Sequence, residues 1–154
     1  MKVLHIITGD TWAGAEAQAA ALAGALSIGH RVRQEAITFN DGALAARLRQ
    51  HGIPVAVASE ADHGLPGLVT ACLRTIGRFE PDILHVHGFK ENLVGGVAAR
   101  LHHRRVVRTH HGKGMLGAAF RYDAVERLNA LLLADRLIAV SSDLKRILGD
   151  HGLP

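Results

Sequence analysis

Eleven of the 154 residues are histidines, and four of them fall in two short runs, His85-Val86-His87 and His110-His111. Imidazole titrates near neutrality and can donate a hydrogen bond, shuttle a proton or ligate a metal, so clustered histidines are where chemistry is sought first. His85 and His87 are two residues apart, and on a strand both would project from the same face of a sheet. Such a pair, with a third histidine from a neighbouring strand, could hold zinc. No carboxylate or cysteine stands near them in sequence, so polar binding ranks above metal binding and no metal ligand is assigned. His85 is expected to be a hydrogen-bonded core residue, and His87 to lie nearer the crevice at the strand's carboxyl end. His102 and His103, inside the run Arg100 to Arg105, are expected on a solvated helix end.

The second candidate is the turn after the first apolar run. Val3, Leu4, Ile6 and Ile7 suit a strand buried on both faces, Thr8-Gly9-Asp10 breaks it, and Gly14 leads into an alanine-rich, proline-free stretch from Ala15 to Leu26. The first amides of such a helix have no internal partner and lie at the positive end of its dipole, which makes an anion site. The glycines at Gly9 and Gly14 do not have the G-x-G-x-x-G spacing, and no Walker loop is present. From the turn alone, close packing of the helix accounts for Gly14 as well as phosphate binding does.

The elements that would position these groups follow in order. Strand two is read from His30 to Phe39, with a turn at Asn40-Asp41-Gly42; Leu44 to His51 forms a helix ended by Gly52; Val55 to Ala58 is strand three. A polar, glycine-containing loop from Ser59 to Gly67 is expected to be mobile, followed by a helix from Leu68 to Arg78 and strand four from Ile83 to His87. The helix Glu91 to Leu101 carries Gly95, Gly96, Ala98 and Ala99, which permit close packing. Strand five runs from Val106 to Thr109, a loop from His111 to Gly117, a helix from Ala119 to Leu133 and strand six from Arg136 to Val140. Ser141-Ser142-Asp143 caps a last helix, Leu144 to Leu148.

Strict alternation of strand and helix predicts an α/β, Rossmann-like, doubly wound parallel sheet in three αβα layers, with strand order 3-2-1-4-5-6. In that order strands one and four are neighbours whose connections leave to opposite sides. The turn at Trp12, Ala13 and Gly14 should then meet His87, with His111 lining the same opening.

Composition narrows the functions. A chain of this length with 48% hydrophobic residues fills one domain, and no run of about 18 apolar residues suggests a membrane span. Met1-Lys2-Val3 enters a strand without a signal pattern and Cys72 is the only cysteine, so a cytoplasmic location is expected. The net charge of +4 points to anionic partners, but with only 4% aromatic residues nucleic acid is disfavoured. Phosphorylated small molecules and anionic lipid headgroups are left. Peripheral contact with the inner face of an anionic membrane would involve Arg100, Arg104, Arg105 and Arg121, although for any one of them a solvated face is the better reading.

An ordered set of segments carries a family resemblance: Lys2 to Ile7 followed by Trp12-Ala13-Gly14-Ala15-Glu16, then Gly52-Ile53-Pro54-Val55, Asp82-Ile83-Leu84-His85-Val86-His87, Thr109-His110-His111-Gly112 and Ala139-Val140-Ser141-Ser142. Together they resemble the amino-terminal domain of glycosyltransferase family 4, retaining enzymes with the two-domain GT-B fold. Gly14 matches the second glycine of the family's loop beside the donor phosphates, and Glu16 the acidic residue after it. His87 matches the strand-four histidine, and His111 the strand-five histidine that borders the reacting sugar. Ala13 departs from the pattern, since the family has a first glycine there, and its methyl group limits φ > 0 and close backbone approach.

The resemblance implies sugar transfer from a nucleotide-diphosphate sugar to an acceptor such as a lipid, saccharide or small molecule, with retention and without a cofactor. His111 is then the catalytic candidate, and Trp12, Ala13, Gly14, His87 and His110 the substrate-binding ones. In the family the donor is recognised mainly by a carboxyl-terminal domain with a Glu-x7-Glu motif, which residues 1 to 154 do not contain. The chain is expected to be the acceptor-side domain, ending before its own last strand and inactive alone. The alternatives are a stand-alone module that binds a phosphorylated ligand without chemistry and, ranked lower, a histidine-based metal hydrolase.

Overall fold

A computed structural model of the chain describes residues 1–9, 12–28, 31–112 and 121–153 in full, with the backbone of Phe120. Strands and helices alternate as β1 (Lys2–Ile7), α1 (Gly14–Ser27), β2 (Arg33–Thr38), α2 (Ala43–Gln50), β3 (Val55–Val57), α3 (Leu65–Phe79), β4 (Ile83–Val86), α4 (Phe89–Leu101), β5 (Arg105–His110), α5 (Phe120–Leu133), β6 (Arg136–Ala139) and α6 (Ser142–Asp150). The strands form one sheet in the order β3-β2-β1-β4-β5-β6, and every pairing is parallel. This is the Rossmann-like order expected from the alternation.

The period-two alternation of β1 splits the core between two faces. Leu4 and Ile6, with Leu84, Val86 and Val106, turn toward α3 and α4, where Cys72, Ile76, Val94 and Ala98 meet them. Ile7 and Ala36 turn the other way, onto Ala19, Ala20 and Ala23 of α1 and Leu44 and Leu48 of α2. The alanines let α1 lie low on the sheet. At the β6 end, Ala130, Leu144, Leu148 and Leu153 close over Leu137 and Ala139. Two glycines set the position of α4: a methyl group on Gly95 would lie 2.6 Å from Ile6 Cδ1, and one on Gly96 would lie 2.6 Å from Leu133 Cβ.

Several boundaries differ from the sequence expectation for identifiable reasons. The long loop expected from Ser59 to Gly67 is shorter, because α3 already begins at Leu65 with Pro66 in its first turn. Proline is tolerated there, since its missing N–H would have no helical partner. Helix α4 begins at Phe89 rather than Glu91, which makes Glu91 a first-turn residue. Of the three expected capping residues only Ser141 caps α6, its Oγ accepting from the Leu144 amide at 3.1 Å, while Ser142 and Asp143 lie inside the helix. Strand β4 ends at Val86, and the His87 amide still bonds the Ile6 carbonyl at 3.3 Å. Expectations for Asp10, Thr11, His30, residues 113–117 of the loop, Ala119 and Pro154 lie outside the described residues. No helix among the described residues is long and apolar enough to cross a membrane.

Candidate functional site

Strands β1 and β4 are adjacent, and the chain leaves them in opposite directions, to α1 on one face and to α4 on the other. Their carboxyl ends therefore part into a crevice, the usual ligand position of an open α/β sheet.

A file of imidazoles leads from the sheet to this opening. His5 pairs in register with His85 across β1 and β4, which puts both on the face opposite Leu4 and Leu84. The ring centroids are 5.6 Å apart from His5 to His85, 4.2 Å from His85 to His87 and 5.5 Å from His87 to His111. Gln34 fixes the inner end. Its amide nitrogen donates to the Ala23 carbonyl at 3.0 Å and its Oε1 faces His5 Nε2 at 2.9 Å, so that nitrogen carries the proton and His5 Nδ1 is left buried without a partner. His85 Nε2 bonds the Thr109 hydroxyl at 2.8 Å, the core role expected of it. At the outer end His87 Nδ1 and His111 Nε2 are 3.3 Å apart, and the other His87 nitrogen is buried without a partner.

Burial holds these rings neutral. His85 is lowered from 6.5 to about 4, mainly by desolvation and then by His5 and His111, and His87 lies well below its ordinary value for the same first reason. His5 is also lowered by burial, against the pull of its bond to Gln34. His111 is lowered by burial too, with the Glu16 and Glu91 carboxylates opposing the shift. Neutral imidazoles can donate and accept hydrogen bonds but offer no fixed positive charge.

The crevice's other wall is the start of α1. Ala13 is its N-cap with φ −130° and ψ −167°, an extended conformation open to any residue, so a methyl in place of the family's glycine is unstrained. The Glu16 carboxylate folds back to accept from the Ala13 amide at 3.2 Å. Among the described residues, a methyl group built on Gly14 would meet nothing within 4 Å, and Trp12 is half exposed. The turn is tied to α4: Glu91 Oε1 accepts from the Thr8 amide at 2.9 Å and from the Thr8 hydroxyl. The positive φ of +81° at Gly9 turns the chain just after β1.

His110 does not join His87 and His111. Strand alternation turns it to the opposite face, beside Arg108, where Arg108 Nη2 and Glu126 Oε1 of α5 form an ion pair at 2.6 Å and His110 Nε2 lies 3.6 Å from the same oxygen. Burial, with Arg108 and His111 nearby, lowers His110 to about 4. Sequence reading passed over His5, Gln34, Thr8 and Glu91. His5 sat inside an apolar run, and only its pairing with His85, available once strands one and four are neighbours, marks it.

His5, His85 and His87 are the donor set that could hold a metal ion among the described residues, with ligand atoms within 4.8 Å of one another. All three would be neutral donors, with no carboxylate or thiolate among them, and one nitrogen each of His5 and His85 is already bonded to Gln34 and Thr109. A dication there would be held by neutral imidazoles alone, with no counter-charge among the donor atoms. A hollow of about 420 Å³ near Val32, Gly52, Pro54 and Phe79 opens at the other, amino-terminal edge of the sheet, away from these groups.

The family described as Glycosyltransferase Family 4 matches residues 12–154. The chain belongs to glycosyltransferase family 4. Among solved structures, the family 4 chain is similar to Alr3699/HepE from Anabaena, crystallised in complex with UDP, at 25% identity and a TM-score of 0.82 over 100% of this chain and 42% of that one. The same Anabaena protein in complex with UDP-glucose gives 25% identity and a TM-score of 0.83, over 100% of this chain and 41% of that one. MurG from Acinetobacter baumannii, at 16% identity and a TM-score of 0.64 over 93% of this chain and 42% of that one, shares the fold. The chain thus spans less than half the length of the solved proteins it resembles. No curated protein matches it by sequence.

Proposed function

We propose that residues 1–154 form the acceptor-side, amino-terminal domain of a GT-B glycosyltransferase. The complete enzyme transfers a sugar, with retention, from a nucleotide-diphosphate sugar to a hydroxyl-bearing acceptor. The observation that carries this reading is the meeting of His87 and His111 at the β1–β4 opening, beside a first turn of α1 that no described residue obstructs, in a family 4 chain. The Anabaena relative's complexes with UDP and UDP-glucose support a uridine-diphosphate sugar as the first donor to try.

In the reaction the bond from the anomeric carbon to the diphosphate oxygen breaks, a bond to the acceptor oxygen forms, and the acceptor's proton leaves with the diphosphate. Negative charge grows on the departing diphosphate, and amides at the start of α1 are aimed at that side with no cost of reorientation. His111, kept neutral by burial, would hydrogen-bond the reacting sugar, and His87 would hold the His111 ring. The donor's nucleotide is assigned to a carboxyl-terminal domain outside residues 1–154, which closes the cleft and excludes water. The cytoplasm suits this reading, and Cys72 is in keeping with it as a buried thiol pushed up to about 12.

The test is release of nucleoside diphosphate from a panel of nucleotide sugars. Residues 1–154 are expected to show no turnover, and the same residues joined to a donor-binding domain are expected to show it. Turnover by residues 1–154 alone, or none by the joined protein with any donor, would overturn the proposal; ligand binding without turnover in the joined protein would favour a binding module.

A further inference from the structure

Three imidazoles beneath the β1–β4 opening are each held through one nitrogen. His5 Nε2 donates to Gln34 Oε1 at 2.9 Å, His85 Nε2 meets the Thr109 hydroxyl at 2.8 Å, and His87 Nδ1 faces His111 Nε2 at 3.3 Å. The opposite nitrogens of two of them, His5 Nδ1 and His87 Nε2, are buried with no partner. A buried polar atom without a partner calls for an explanation, and here two fall in one cluster. One nitrogen from each ring lies within 4.8 Å of the others. The rings are at most 6% exposed, a burial that further chain can only increase.

A histidine that ligates a metal ordinarily engages its other ring nitrogen in a hydrogen bond, which fixes the tautomer and the ring's orientation. Gln34, Thr109 and His111 are such partners. Gln34 is itself anchored, its Nε2 donating to the Ala23 carbonyl at 3.0 Å and to the Ser27 hydroxyl at 2.9 Å. The donor type then selects the ion: imidazole suits zinc, whereas magnesium and calcium take oxygen. Zinc–nitrogen bonds of about 2.0–2.1 Å set tetrahedral donors about 3.4 Å apart, so the rings need to close by about 1 Å. The counter-charge missing from the donor atoms stands outside them, in the Glu16 and Glu91 carboxylates that act on the adjoining His111 ring.

We propose that His5, His85 and His87 bind one zinc ion beneath the β1–β4 opening, through Nδ1 of His5 and of His85 and Nε2 of His87. The ion ties β1 to β4 and holds the His87 proton on Nδ1, toward His111. It takes no part in bond making, and the site stands whether or not the crevice transfers sugar. Without zinc the three rings are the neutral buried groups described above.

Zinc titrated into the chain after chelation of any metal tests it. One zinc per chain is expected, with a Kd below about 1 μM, a melting temperature that rises with zinc concentration, and no response to magnesium. Thr109→Val, which keeps the side chain's shape and removes the hydroxyl behind His85, should weaken binding about tenfold or more. His63→Ala, at an exposed histidine outside the cluster, should leave it unchanged. The deciding measurement needs no substitution: side-chain nitrogen NMR of the parent chain should show zinc moving His5 Nδ1 and His87 Nε2 together, at one equivalent. No binding below about 10 μM zinc, movement of exposed histidines in place of these two, or loss of binding in His63→Ala would overturn the proposal.

Discussion

His87 and His111 share one hydrogen bond, and the environment decides which ring donates. His87 Nε2 is buried with no partner, so a proton there would be an orphaned N–H; a proton on Nδ1 is instead given to His111 Nε2. His111 then keeps its own proton on Nδ1. A donor fixed on Nε2 also disfavours protonating His111, which adds to the effect of burial. In the complete enzyme His87→Phe is expected to lower kcat with little change in acceptor KM and to move the acid limb of the pH–rate profile upward; an unmoved limb would show that His87 only fills space. Gln34→Leu strands the buried His5 N–H, while the Ala23 carbonyl keeps the Ser27 hydroxyl, and should destabilise the fold by about 1–3 kcal/mol in urea titration. Period-two alternation made His87 readable beside His85. It also turned His110 away from its sequence neighbour His111, a reversal visible only once β5 is known to continue through His110.

Close packing at element scale rests on positions where the sequence carries glycine against helix propensity. Gly96→Ala should favour the isolated helix by about 1 kcal/mol. Its methyl group would nevertheless lie 2.6 Å from Leu133 Cβ and 3.2 Å from the Leu133 carbonyl oxygen, and backbone cannot swing away as a side-chain tip can. A net loss of about 1–3 kcal/mol is expected, read from the urea midpoint, and a stabilised variant would refute the tight α4–α5 contact. Alanine and glycine in these helices made close approach legible, as did Ser141 before α6. Pro66 was harder to read: a glycine-rich polar stretch resembles a loop until proline is recognised as a first-turn residue. Glu91 was missed for a related reason, since its value lies in reaching Thr8 on another element.

Across the whole molecule, burial of neutral histidines links stability to pH. His5, His85, His87, His110 and His111 all have folded-state values below the ordinary 6.5, with His85 and His110 at about 4. Below pH 6.5 the unfolded chain therefore binds more protons than the folded one. Stability is whole above that pH and falls as pH drops through the window toward about 4, by about 1.4 kcal/mol per pH unit for each fully shifted histidine. Melting temperature measured from neutral pH to about pH 4.5 should fall steeply, and a flat profile would mean that the rings are hydrated or charged in the fold. The strand order was readable from alternation alone, because a parallel sheet with crossovers on both faces leaves few arrangements. The crevice followed from that order. Whether the crevice is where sugar transfer occurs is tested most directly by turnover of the complete enzyme with His111 and with His111→Ala. A fall in kcat of about 10²-fold with acceptor KM held within about twofold is expected, and an unchanged kcat would place the chemistry elsewhere.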